Sequence, residues 1–173
     1  MNIFILPLFL LTTYLLDREF SLFNKVDMKR REAREIAVQM LYGLHFEEIP
    51  EDQSSFEQLL EQKFNQAISV NEVTFTLDEK DFCIDLVKET YLHLQDIDEL
   101  IIQFSKKWSF ERINIIEKSI LRLAVMEIEY TDVPRKVAIN EAVELAEDFS
   151  GQRSKKFVNG ILDAVMHREK NND

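Results

Sequence analysis

The stretch Ile113-Asn114-Ile115-Ile116-Glu117-Lys118-Ser119-Ile120-Leu121-Arg122-Leu123-Ala124-Val125-Met126-Glu127-Ile128 decides the fold class. Ile113, Ile116, Ile120, Leu123, Ala124 and Ile128 follow the three- and four-residue spacing of one helix face. The stripe stops before Asp132-Val133-Pro134, where proline cannot continue a helix. Downstream, Val137 to Phe149 reads as a further helix, closed by Ser150-Gly151. Ser154 reads as the N-cap of a last one, with Phe157, Ile161, Leu162 and Val165 inward. Upstream, Asp96-Ile97-Asp98-Glu99 starts a helix carrying Leu100, Ile101 and Phe104. Thr76-Leu77-Asp78-Glu79 has the form of a capping box and opens a helix with Phe82, Leu86, Val87, Thr90 and Leu94 on one face. Phe56, Leu59, Leu60, Phe64 and Ala67 repeat the spacing, as do Ala33, Ile36, Ala37, Met40, Leu41 and Leu44. Val70–Thr76 is β-branched but too short and polar to support a sheet. The sum is about seven helices, each with one apolar stripe, in an all-α fold.

Composition agrees. The chain has 173 residues, 46% hydrophobic and 31% charged, which excludes disorder as a class. Three Gly and three Pro are far below the usual usage of about 7% and 5%, which argues against sandwiches and barrels. Gly43, Gly151 and Gly160 lie too far apart for a nucleotide-binding glycine loop. The single cysteine, Cys83, excludes an internal disulfide and fits a reducing, cytoplasmic compartment. The net charge of −11 is uneven: residues 47–99 carry fifteen acidic and three basic groups. Two basic clusters stand apart from that segment, Lys29-Arg30-Arg31 with Arg34, and Arg153 with Lys155-Lys156. Taken alone, either reads equally as a solvated face.

Residues 1–27 do not match the rest. Ile3 to Leu16 is a 14-residue apolar run, shorter than the roughly 17–25 residues of a membrane span. No basic region precedes it, as a secretory signal would require. The segment reads as an upstream extension, with Met28 as the natural start and no membrane role expected. Catalytic constellations are absent. His45, His93 and His167 are scattered, and no His or Cys spacing suits a metal. Glu89 and His93, four apart, read as surface electrostatics. Cys83 reads as a core thiol. No enzyme activity, cofactor or metal is expected.

Three long motifs carry the function. Trp108-x3-Arg112 leads into the stripe quoted above. Asp132-Val133-Pro134-Arg135-Lys136-Val137-Ala138-Ile139-Asn140-Glu141-Ala142-Val143-Glu144-Leu145-Ala146 follows. Ser154-Lys155-Lys156-Phe157-Val158-Asn159-Gly160-Ile161-Leu162-Asp163 closes the run. With the basic helix Arg30 to Tyr42, these motifs resemble the NusB family of transcription antitermination factors over residues 29 to about 166. The resemblance implies two small packed helical subdomains, about residues 28–95 and 96–168. It implies binding to the boxA RNA of ribosomal RNA leaders jointly with NusE, a small-subunit ribosomal protein, within the RNA polymerase antitermination complex.

Residues suited to those roles are present. Arg30, Arg31 and Arg34 lie near the start of the first helix, with Arg31 and Arg34 on a shared face, and guanidinium forks suit phosphates and base edges. Gln39 offers an amide and Tyr42 a stacking ring; Tyr42 reads equally as an interfacial core tyrosine. Arg153, Lys155 and Lys156 stand where a helix N-terminus already favours phosphate. Arg153 departs from the family pattern, in which an acidic residue is common here. Asn140 reads as a capping or bridging residue in the first turn of its helix. Asn159 is an RNA candidate, and Gly160 suggests close helix–helix approach. Trp108 reads as a core or interface anchor. Glu111 and Glu117, at the start of the fifth helix, are the candidates for holding NusE. Two other readings keep the fold: a helical protein–protein adaptor without RNA, and a NusB-like domain truncated from a ribosomal RNA cytosine methyltransferase.

Overall fold

The computed structural model describes residues 29–105 and 109–168. The expectations for residues 1–27, Met28 and Trp108 lie outside them. The chain divides into two compact units, Met1–Glu32 and Ala33–Asp173. Of the first, residues 29–32 are described. They are helical, and Lys29 pairs with Glu32 one turn on at 2.5 Å.

Helix α1 covers residues 29–44. It is followed by α2 (Gln53–Asn71), α3 (Leu77–Leu92), α4 (Leu94–Phe104), a 3-10 turn (Phe110–Arg112), α5 (Ile115–Tyr130), α6 (Arg135–Ser150) and α7 (Gln152–Met166). Seven α-helices and no strand occur among the described residues.

The second unit is organised around α5, which packs against α3, α4, α6 and α7. Neighbours on several sides change the expected single stripe. Leu121, Val125 and Met126 are buried along with Ile120, Leu123, Ala124 and Ile128. A helix with neighbours on several sides buries more than one stripe, and each fully buried Leu, Ile or Met side chain contributes about 1.5–3 kcal/mol. The inward positions of α7 are Val158, Ile161, Leu162 and Val165, and α7 lies against α4, α5 and α6. Cys83 is fully buried and its thiol donates to the carbonyl oxygen of Ala33 at 3.3 Å. Burial pushes that thiol up to about 12.

Local chemistry explains most of the boundaries. Asp52 caps α2 by accepting from the Ser55 N–H, and Asn114 caps α5 by accepting from that of Ile116. Thr76 and Glu79 form the expected reciprocal capping box on α3. Three boundaries differ from expectation. Helix α4 begins at Leu94, two residues before Asp96, because His93 alone closes α3 and opens α4. Helix α6 begins directly after Pro134, which places Asn140 past the first turn, exposed. Helix α7 begins at Gln152 after Gly151, whose φ of 80° is one that side chains rarely adopt. Ser154 is therefore inside the helix rather than its cap. Its hydroxyl is buried with no hydrogen-bond partner.

Gly160 also departs from expectation. A Cβ built on it would meet nothing within 4 Å, so no neighbouring helix comes close there. Among the described residues, no helix is long and apolar enough to cross a membrane, and no group of three His, Cys, Asp or Glu is placed to hold a metal. His93 lies 3.8 Å from Glu89 and stacks on the Tyr130 ring, with centroids 3.7 Å apart.

Candidate nucleic-acid interface

The cations of α1 and α7 have different surroundings. In the first unit, Arg30 is exposed and Arg31 half-buried. In the second unit, Arg34 is only 4% exposed. Its Nη2 donates to Glu127 Oε1 at 2.8 Å, and its Nε lies 3.1 Å from both carboxylate oxygens. Glu141 Oε2 stands 4.0 Å from Nη1. This fork-on-carboxylate pairing ties α1 to α5 inside the core. Arg34 therefore belongs to the interior and leaves the set of surface arginines. Its position was legible: Arg34 falls three, seven and ten residues before Ala37, Leu41 and Leu44, on the stripe that faces inward.

Gln39 is also engaged. It exchanges amide hydrogen bonds with Asn71 at the end of α2, the shorter being Asn71 Nδ2 donating to Gln39 Oε1 at 2.9 Å. Tyr42 is 42% exposed, with its ring edge-on to Phe46 at 5.4 Å. Both Gln39 and Tyr42 line an open groove of about 780 Å³, together with Lys63, Asn114 and Phe149. Nothing in the sequence points to this groove, because its walls come from helices far apart in the chain.

On α7, Arg153, Lys156 and Asn159 are exposed. Neither Arg153 nor Lys156 has an ion-pair partner among the described residues. Lys155 is half-buried and pairs with Glu147 of α6. No side chain caps the start of α7, and the carboxylate of Glu147 beside it accepts from the Gln152 amide as well as from the Lys155 ammonium. This end of α7 brings together two exposed cations without an ion-pair partner among the described residues and a helix start without a side-chain cap.

Glu111 stands in the 3-10 turn ahead of α5, not in α5 itself, and is exposed. The Ser109 hydroxyl donates to its carboxylate and holds its pKa below the usual carboxylate value. Glu117 is in the first turn of α5, half-buried. The same turn is braced by Phe110, whose ring lies 4.6 Å from the Lys118 ammonium and 5.8 Å from the Arg122 guanidinium. Arg122 in turn forks onto Asp98 of α4 at 2.8 and 2.7 Å.

The profile of the NusB family matches residues 31–167. The transcription antitermination protein NusB of Thermodesulfovibrio yellowstonii is 37% identical over 143 residues, covering 82% of this chain and 94% of that one. Its counterpart from Oleidesulfovibrio alaskensis is 39% identical over 137 residues, covering 79% and 86%. Among solved structures, T. maritima NusB superposes with a TM-score of 0.64 at 29% identity, covering 79% of this chain and 89% of that one. The NusB of a NusB–NusE complex with double-stranded RNA has a TM-score of 0.62 over 80% of this chain and 96% of that one. At 23% identity, that second likeness speaks to the fold alone.

Proposed function

Because this chain belongs to the NusB family, we propose that it is a non-enzymatic transcription antitermination factor. In this reading it binds boxA RNA of ribosomal RNA leaders together with NusE and supports processive transcription, which places it in the cytoplasm with RNA polymerase. The observation that carries the reading is the outer face of α7. Arg153 and Lys156 stand there exposed and unpaired, beside an uncapped helix start and within a family motif. In this reading phosphates meet point charges and the positive end of the α7 dipole there, and Asn159 offers an amide to a base edge. Arg30 and Arg31 supply further cations, and Tyr42 an exposed ring on which a base can stack. Lys155 contributes once its pairing with Glu147 opens. Glu111 and Glu117 are proposed to meet NusE, where carboxylates set register for a basic partner.

The test is binding of a boxA-containing RNA with and without NusE, followed across salt concentration. The expected outcome is an affinity that rises when NusE is added and falls with salt, by a log–log slope of roughly −0.7 for each phosphate neutralised on a single strand. Absence of RNA binding at low salt in the presence of NusE would refute the reading and favour a protein–protein adaptor.

A further inference from the structure

Gly160 is the ninth residue of α7 and is exposed. Glycine is the least favourable residue after proline in a helix interior, so its presence asks for a reason. Two reasons are usual, a positive φ or a neighbour too close for a Cβ. Neither applies inside this chain. The positive-φ glycine among the described residues is Gly151, and a Cβ at Gly160 would stand in open space. The bare patch of helix backbone is framed by particular chemistry. Lys156 lies one turn before it on the same face, Arg153 a turn before that, and Asn159 is adjacent; all three are exposed. Beyond it the face turns acidic at Asp163, which pairs with His167 at 3.4 Å.

We infer that one nucleotide of a bound RNA lies directly against the α7 backbone at Gly160, with its phosphate toward Lys156 and Arg153 and its base or ribose edge at Asn159. This rests on the RNA-binding reading above and adds to it a close-contact position that carries no charge. A partner helix fits the patch poorly. Close helix packing is framed by apolar or small residues, whereas this patch is framed by two cations, an amide and a carboxylate in contact with an imidazole. A strand with a flat base and an anionic backbone matches all of them. The carboxylate of Asp163, beyond Gly160 on this face, repels phosphate and favours the side of the patch that carries Lys156 and Arg153.

Gly160→Ala and Gly160→Leu test this, because each adds bulk without changing charge and each replaces glycine by a better helix former. The full chain is melted alone and then titrated with boxA RNA in the presence of NusE, at several salt concentrations. Gly160→Ala is expected to raise Tm by roughly 2–4 °C. It should also weaken RNA binding by about tenfold, through steric displacement of the nucleotide from the backbone. Gly160→Leu should weaken it further, and the salt slope should stay at the parent value in both. RNA affinity equal to the parent in both variants overturns the inference while leaving the RNA reading intact. Weakened NusE binding with unchanged RNA binding overturns it in favour of a protein on this face. A parent chain that fails to bind RNA removes both the inference and the reading beneath it.

Discussion

Arg34 on α1 and Lys156 on α7 are both cations on amphipathic helices, yet they do opposite work. Arg34 sits on its helix's inward stripe and is held by Glu127, with both side chains almost wholly buried. Lys156 sits on the outward face of α7 with no ion-pair partner among the described residues. The difference shows that membership of a basic cluster does not settle a cation's role. The register of that cation against the apolar stripe does. A guanidinium in the inward register demands a carboxylate from a facing helix, since an unpaired charge in the core is prohibitive. An ammonium in the outward register is left to solvent or to a ligand.

The sharpest way to break this contrast is to remove Arg34. Arg34→Ala leaves Glu127, 1% exposed, as an unpaired buried carboxylate. The expected cost is about 3–5 kcal/mol of unfolding free energy, measured by denaturant titration. A double replacement, Arg34→Met with Glu127→Leu, should recover most of that loss. A small effect of Arg34→Ala would return Arg34 to the surface set. Cys83 probes the same inner side of α1 through its contact with Ala33. Burial raises its folded pKa from the model-compound value of 9.0 to about 12. Below pH 9 both folded and unfolded thiols are protonated and this contribution is fully present. As pH rises from 9 toward 12 the unfolded thiol ionises first and stability falls. Alkylation of the native chain should be slow at pH 8 and become fast only in denaturant; fast native alkylation would contradict the burial. Smaller still is Thr76→Ala at the start of α3, expected to cost about 1 kcal/mol by thermal melt through the lost cap, with RNA binding untouched. Smallest is Lys156→Ala, whose effect on stability should stay within about 0.5 kcal/mol.

Helix number and type were legible because the stripes are strong and the turn residues scarce. The Thr76–Glu79 box and the 113–128 stripe needed no tertiary information. What misled was chemistry that depends on a partner. Arg34 was grouped with Arg31 three residues away, when its spacing to Ala37, Leu41 and Leu44 placed it inward; the carboxylate that accepts it lies 93 residues on. Ser154 has the residue type of a cap, but Gly151 turns the chain three residues earlier and draws the hydroxyl inside. Gly160 suggests close helix–helix approach by residue type, but a Cβ there meets nothing within 4 Å, because the residue lies on the exposed face of α7. For the candidate interface, the α7 cations were legible by residue and face. The groove beside Tyr42 was not, since it is assembled from α1, α2, α5 and α6.

RNA binding by this chain requires that the outward cations of α7 meet phosphate. The direct measurement is the salt dependence of boxA RNA affinity, with NusE present, for the parent and for the double variant Arg153→Ala, Lys156→Ala. Loss of two phosphate contacts should make the log–log slope shallower by about 1.4, with Tm nearly unchanged. A slope and low-salt affinity equal to the parent's would show that this face of α7 does not meet the RNA.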